Sequence, residues 1–110
     1  MTIVSRRIVV PFAGKSDLAL DRSKRMAEIM IAHGAFARVF RSVMGDNAGN
    51  IEILGRYVNF TEGAKANAAI ALDPKAQNLH QEREKDPAAE VHGPYVYLSL
   101  IHISEPTRPY

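Results

Sequence analysis

The sequence contains no cysteine. A disulfide framework, an iron–sulfur cluster held by thiolates and a thiolate zinc site are therefore excluded. Tryptophan is also absent, and aromatic residues are few. No apolar run approaches the roughly 20 residues that span a bilayer, and Met1 to Val10 carries Arg6 and Arg7 with no apolar stretch of signal-peptide type behind them. The expected location is the cytoplasm, without membrane contact. Fourteen Lys and Arg against twelve Asp and Glu leave a net charge of only +2, which is no basic footprint of the kind nucleic acid attracts. What remains is the composition of one ordinary soluble domain. At 110 residues the chain builds a single core with little spare stability, so a partner subunit would help it.

The segment Leu98 to Arg108 (LSLIHISEPTR) matches, residue for residue, what one reading frame of a common sequencing-library adapter would encode. The match implies that residues 98–110 stand outside the domain, that the domain covers residues 1–97, and that the natural reading frame differs after Tyr97. It also removes His102 from the candidate ligands and catalysts.

Within residues 1–97 the elements announce themselves by their boundaries. Ile3 to Phe12 is rich in β-branched residues and stops at Pro11 and Gly14, as a strand does. Ser16 and Asp17 offer an N-cap for a helix that runs to His33 and closes on Gly34. Its residues Ala19, Ser23, Met26, Ala27 and Met30 share one face, with Asp21, Arg22, Lys24, Arg25 and Glu28 mostly elsewhere. Strands are expected over 37–44 and 50–60, joined by the turn residues Gly45 to Gly49 into a hairpin. Thr61 is placed to cap a second helix, which Asp73-Pro74 interrupts before it resumes over 75–85. Glu90 to Tyr97 supplies the fourth strand. The order β-α-β-β-α-β predicts an α+β, ferredoxin-like domain: a four-stranded antiparallel sheet, two main helices on one face, the second broken at Asp73-Pro74.

Strand alternation then says something about assembly. Val39 and Val43 oppose Phe40 and Met44 in the second strand, while Ile51, Ile53 and Tyr57 oppose Leu54 and Val58 in the third. Both faces are substantially apolar, whereas a half-solvated sheet alternates apolar and polar. The helix-free face is therefore expected to pair with a second copy of the chain.

Together with the FTEGAKA segment after the third strand, the Asp73-Pro74 break and the aromatic GPYVY end, this order resembles the dimeric α/β-barrel superfamily. Its members include the antibiotic-biosynthesis-monooxygenase-like, NIPSNAP-like and stress-responsive barrel proteins. The resemblance implies a homodimer whose sheets close into a barrel, with a pocket between each sheet and its helices or loops. Cofactor-free monooxygenases of the superfamily commonly use Trp, Asn or His in that pocket. This chain has no Trp, so no catalytic role is carried over from them.

From the residues themselves, His92 is the leading catalytic candidate. A strand histidine beside Gly93 and Pro94 suits proton transfer or haem ligation, and equally an interface position. Tyr57, Tyr95 and Tyr97 suit the lining of a pocket for a flat, oxygenated ligand, or plain packing. Arg56, with Arg38 and Arg41, suits a carboxylate, a solvated strand edge or an inter-subunit ion pair. His80 lies on a charged helix face, and His33 suits a helix C-terminus. No two of these histidines have metal-ligand spacing, so neither a metal nor another cofactor is expected.

The leading expectation is thus a homodimeric barrel that binds or transforms a small organic molecule, with cofactor-free oxygenation as the chemistry the resemblance suggests. A non-catalytic interaction module, or the first half of a tandem barrel, is the alternative. RNA recognition uses the same topology, and Tyr57, Val58 and Phe60 imitate part of its third-strand motif. The leading basic residue and Gly of that motif are missing, as is a stacking ring on the first strand.

Overall fold

The computed structural model describes residues 2–99. In chain order the elements are β1 (Ile3–Pro11), α1 (Ser16–Ala32), β2 (Phe36–Arg41), β3 (Ile51–Tyr57), α2 (Phe60–Leu72), α3 (Pro74–Lys85) and β4 (Ala89–Leu98). The strands form one sheet in the order β2-β3-β1-β4, with every neighbouring pair antiparallel. The helices pack on one face of it, which is the expected ferredoxin-like arrangement. Among the described residues no helix is long and apolar enough to cross a membrane. The expectation for residues 98–110 falls almost wholly outside the described residues, as does His102; Leu98 is the last residue of β4.

Each helix boundary has a local cause. The C-terminus of α1 closes by a Schellman arrangement: Gly34 at φ +97 lets Ala35 N–H donate to Met30 O (3.0 Å) and its own N–H donate to Ile31 O (3.1 Å). At its start the cap position is Lys15, which makes no side-chain cap bond, so Ser16 and Asp17 are first-turn residues and not caps. The cap of α2 is Asn59, whose side chain accepts from Glu62 N–H at 2.8 Å. Thr61 therefore sits inside the first turn, because the extended backbone at Asn59 turns its carboxamide toward the helix before Thr61 is reached. Asp73 ends α2 and caps α3, accepting from Lys75 N–H at 2.8 Å with Pro74 in the first position of the new helix.

The hairpin is shorter than its composition suggests. β2 ends at Arg41, and Ser42 closes a loop by bonding Asn50 O (2.9 Å) and accepting from Gly49 N–H (2.8 Å). Val43 and Met44 consequently lie in that loop, 81% and 84% exposed, and contribute to neither sheet face. β3 likewise stops at Tyr57. Val58 is exposed beyond it and Phe60 opens α2, so the imitation of an RNA-binding strand motif does not form on a strand.

The core lies between the sheet and the helices. Ile3, Val9, Ala37, Ile51 and Ile53 from the strands meet Ala19, Ala27, Met30, Ile70 and Leu79 from the helices. Three of these are alanines, whose small side chains let helices and sheet approach closely. At Gly55 an added Cβ would stand 2.5 Å from Met30 Cε and 2.9 Å from Ser5 Oγ. Arg22, placed by helical spacing on the polar side of α1, is instead 5% exposed. It reaches across to α3, where Nε donates to Glu82 Oε2 (2.7 Å) and Nη1 to Asp86 O (2.6 Å).

The β1–β4 ladder contains a bulge. Ile8 pairs with His92 and Arg6 with Tyr95, so β4 carries one residue more than β1 over that step. Gly93 occupies the site at φ +103, where a Cβ would lie 2.7 Å from Arg6 O.

Candidate functional site

Arg6 and Arg7 are consecutive on a central strand, so they point to opposite faces. Arg6 goes to the helix-free face, where Nε donates to Glu52 Oε1 at 2.6 Å. Arg7 goes beneath the helices. There its Nη1 donates to Met30 Sδ at 3.4 Å, a weak contact for a cation.

Arg7 opens into a cavity of about 270 Å³ between the sheet and α1 and α3. Val9, Ala19, Met26 and Ile53 provide its apolar surfaces, and Ala88, Ala89 and Val91 at the start of β4 close one side. Arg83 and the His80–Glu84 pair, with Nε2 3.1 Å from Oε1, stand along its α3 side. Arg22 also lines it but is tied to Glu82 and Asp86.

The cations of the cavity are unequally compensated. Glu82 takes Arg25 Nη1 and Nη2 at 3.0 and 2.6 Å as well as Arg22, and these two guanidiniums, Arg25 first, pull its carboxyl down to about 2. Among the described residues neither Arg7 nor Arg83 is within ion-pair distance of a carboxylate. Burial lowers the pKa of Arg7 from the ordinary arginine value; Tyr57 acts against that shift and the charge of Arg83 adds to it. The Tyr57 hydroxyl is itself pushed up by burial, with Arg7 opposing.

The residues singled out in the sequence do not gather here. Tyr57 is on the helix side, its ring 3.4 Å from the point where a Cβ on Gly63 of α2 would sit. Arg56, Tyr95, Tyr97 and His92 lie on the helix-free face, paired along the ladders with Val4, Arg6, Val4 and Ile8. There Arg38 and Arg56 each lay a guanidinium 4.8 Å from the centre of the Phe36 ring, and His92 Nε2 is 3.8 Å from Glu90 Oε1. Arg41, at the end of β2, donates to Ser16 Oγ at 3.3 Å. His33 pairs with Asp73 across the helices, and among the described histidines only His80 touches the cavity. Arg7 and Arg83 were the residues missed. Their signals were the double arginine on one strand, and the Ala76, Leu79, Arg83 spacing that continues the buried stripe of α3.

No family model and no curated protein matches the sequence. Solved structures do match the fold over nearly the whole chain. A NIPSNAP domain protein from Burkholderia xenovorans superposes with a TM-score of 0.71 at 17% identity, covering 88% of this chain and 93% of its own. The fold is that of the NIPSNAP and antibiotic-biosynthesis-monooxygenase structures. SnoaB, a cofactor-independent oxygenase from Streptomyces nogalater, gives 0.65 at 9% identity over 90% of this chain and 93% of its own. A putative antibiotic biosynthesis monooxygenase from Nitrosomonas europaea gives 0.66 at 12% identity over 90% of each chain.

Proposed function

We propose that the chain is one subunit of a homodimeric α/β barrel that binds a small organic molecule in the cavity between its sheet and helices α1 and α3. The observation that carries this reading is the cavity itself: apolar walls on a sheet floor, with polar groups converging from β1 and α3. The dimer is supported by the other face. Val4, Ile8, Leu54, Phe36, Phe40 and Tyr95 stand there among arginines and Glu52. A four-stranded face, about 19 Å wide at the usual strand spacing and about 30 Å long, is at the lower end of what a stable interface buries. Its mixture of both charge signs suits an isologous contact, in which the same patch meets itself.

SnoaB acts without a cofactor. Similar chemistry in this chain would need a proton acceptor beside the bound molecule, and the His80–Glu84 pair is the group placed for it. The test has two readouts. Sedimentation velocity at micromolar concentration should give a dimer, which Leu54→Glu dissociates. The uncharged probe benzamide should shift the amide resonances of Ala19, Ala88 and Ala89, and Ala19→Phe, which fills the cavity, should abolish those shifts. A monomer overturns the assembly, and the absence of cavity shifts overturns the binding site.

A further inference from the structure

We propose that the cavity selects organic anions, its carboxylate-binding end being the Arg7 and Arg83 guanidiniums and its apolar end the walls from Val9, Ala19 and Ile53. This rests on the cavity being a binding site and goes further, because it names the class of molecule.

The argument starts from an imbalance of charge. A buried guanidinium is ordinarily paired, because an unpaired charge away from water is costly. Elsewhere between these helices that rule is obeyed: Arg22 and Arg25 share Glu82, with Asp21 and Asp86 as further partners. Arg7, partly buried beneath the helices, has no carboxylate partner among the described residues. Its described partner is a thioether sulfur, and its near neighbour Tyr57 carries no charge at neutral pH, as any phenol does. Among the described residues Glu84 is the one acid lining the cavity, and it is held by His80 at the rim.

Arg7 and Arg83 act on one another as like charges, and both face the same space. An incoming carboxylate relieves both effects at once. It supplies the counter-charge, and its two oxygens accept from planar forks in charge-assisted hydrogen bonds. A neutral molecule of the same shape gains the apolar contact but leaves the two cations as they were. Arginine stays protonated in proteins, so the preference does not depend on protonating the site.

The experiment compares benzoate with its neutral isostere benzamide by calorimetric titration, with amide resonances reporting where each binds. Benzoate should bind about tenfold or more tightly, the scale of a hydrogen bond to a charged group, and should move Ala88, Ala89 and Val91. Arg83→Gln, at a half-exposed helix position that folding tolerates, should remove most of the preference for benzoate over benzamide. Arg7→Met should do the same, and if that variant does not fold, Arg83→Gln decides. Equal affinities for the two probes overturn the anion preference and leave the cavity as a binding site. A benzoate preference that survives Arg83→Gln, or shifts confined to the Arg38 and Arg56 face, overturns it too. Failure of both probes overturns the cavity reading together with this one.

Discussion

His33 Nε2 lies 2.7 Å from Asp73 Oδ2, joining the C-terminal end of α1 to the junction of α2 and α3. One carboxylate thereby serves two purposes: Oδ2 meets the imidazole while Oδ1 accepts from Lys75 N–H and caps α3. The His33 bond, and after it the Lys75 backbone bond, lower the Asp73 pKa from its ordinary 3.8. A lowered folded-state value means stability that is present above the ordinary value and lost as pH falls through the folded one. Asp73→Asn keeps the cap, since Asn caps about as well as Asp, and gives up the charged pairing. Thermal unfolding should show Asp73→Ala less stable than Asp73→Asn, and both variants should lose part of the acid sensitivity of the parent below about pH 4.

Glu82 gives a second pH test. Its carboxyl is held at about 2, against an ordinary 4.5, by Arg25 and then Arg22. The parent should be more stable than Glu82→Gln at neutral pH. That advantage should shrink as pH falls below 4.5 and vanish near 2, where Glu82 protonates in the folded chain as well. A constant difference across that window, in urea titrations at each pH, would contradict the ion-pair account.

Gly55 is a packing test. A side chain there meets Met30 Cε and Ser5 Oγ at once, and Met30, 1% exposed, has to change rotamer within the core to make room. Gly55→Val should destabilise by about 1–3 kcal/mol in chemical denaturation, as overpacking does. Met30→Ala alone leaves a hole. Combined with Gly55→Val it should cost less than the sum of the two, because each change relieves the other.

His92 stands on the face away from the cavity, in register with Ile8. His92→Ala should therefore leave benzamide binding in the cavity unchanged and alter stability by no more than about 0.5 kcal/mol. Loss of cavity binding in this folded variant would return His92 to the site.

The fold was largely legible because its boundaries are written in single residues. Gly34 and the Asp73-Pro74 step acted where their chemistry says they should. The end of β2 was not legible. Val43 and Met44 look like strand residues, and only the backbone bonds of Ser42 to Asn50 and Gly49 put them in a loop. The candidate site was hidden for a different reason. A charged residue in a strand or helix carries no mark of the face it takes, yet β1 must turn one of two adjacent arginines inward, and Arg83 continues the inward stripe of α3. That these two meet around one space is a product of packing α3 over the sheet, which no local pattern contains.

The extra residue of β4 makes that strand two half-strands of opposite phase. Before Gly93 the odd-numbered Val91 looks toward the cavity, paired with Val9; after it the odd-numbered Tyr95 and Tyr97 look the other way, paired with Arg6 and Val4. Were the same residues paired without the bulge, β4 would keep one phase throughout, which would turn both tyrosines toward the helices and set Val96 and Leu98 on the open face. The bulge thus lets one edge strand wall a cavity with its first half and furnish hydroxyl-bearing rings to the opposite surface with its second.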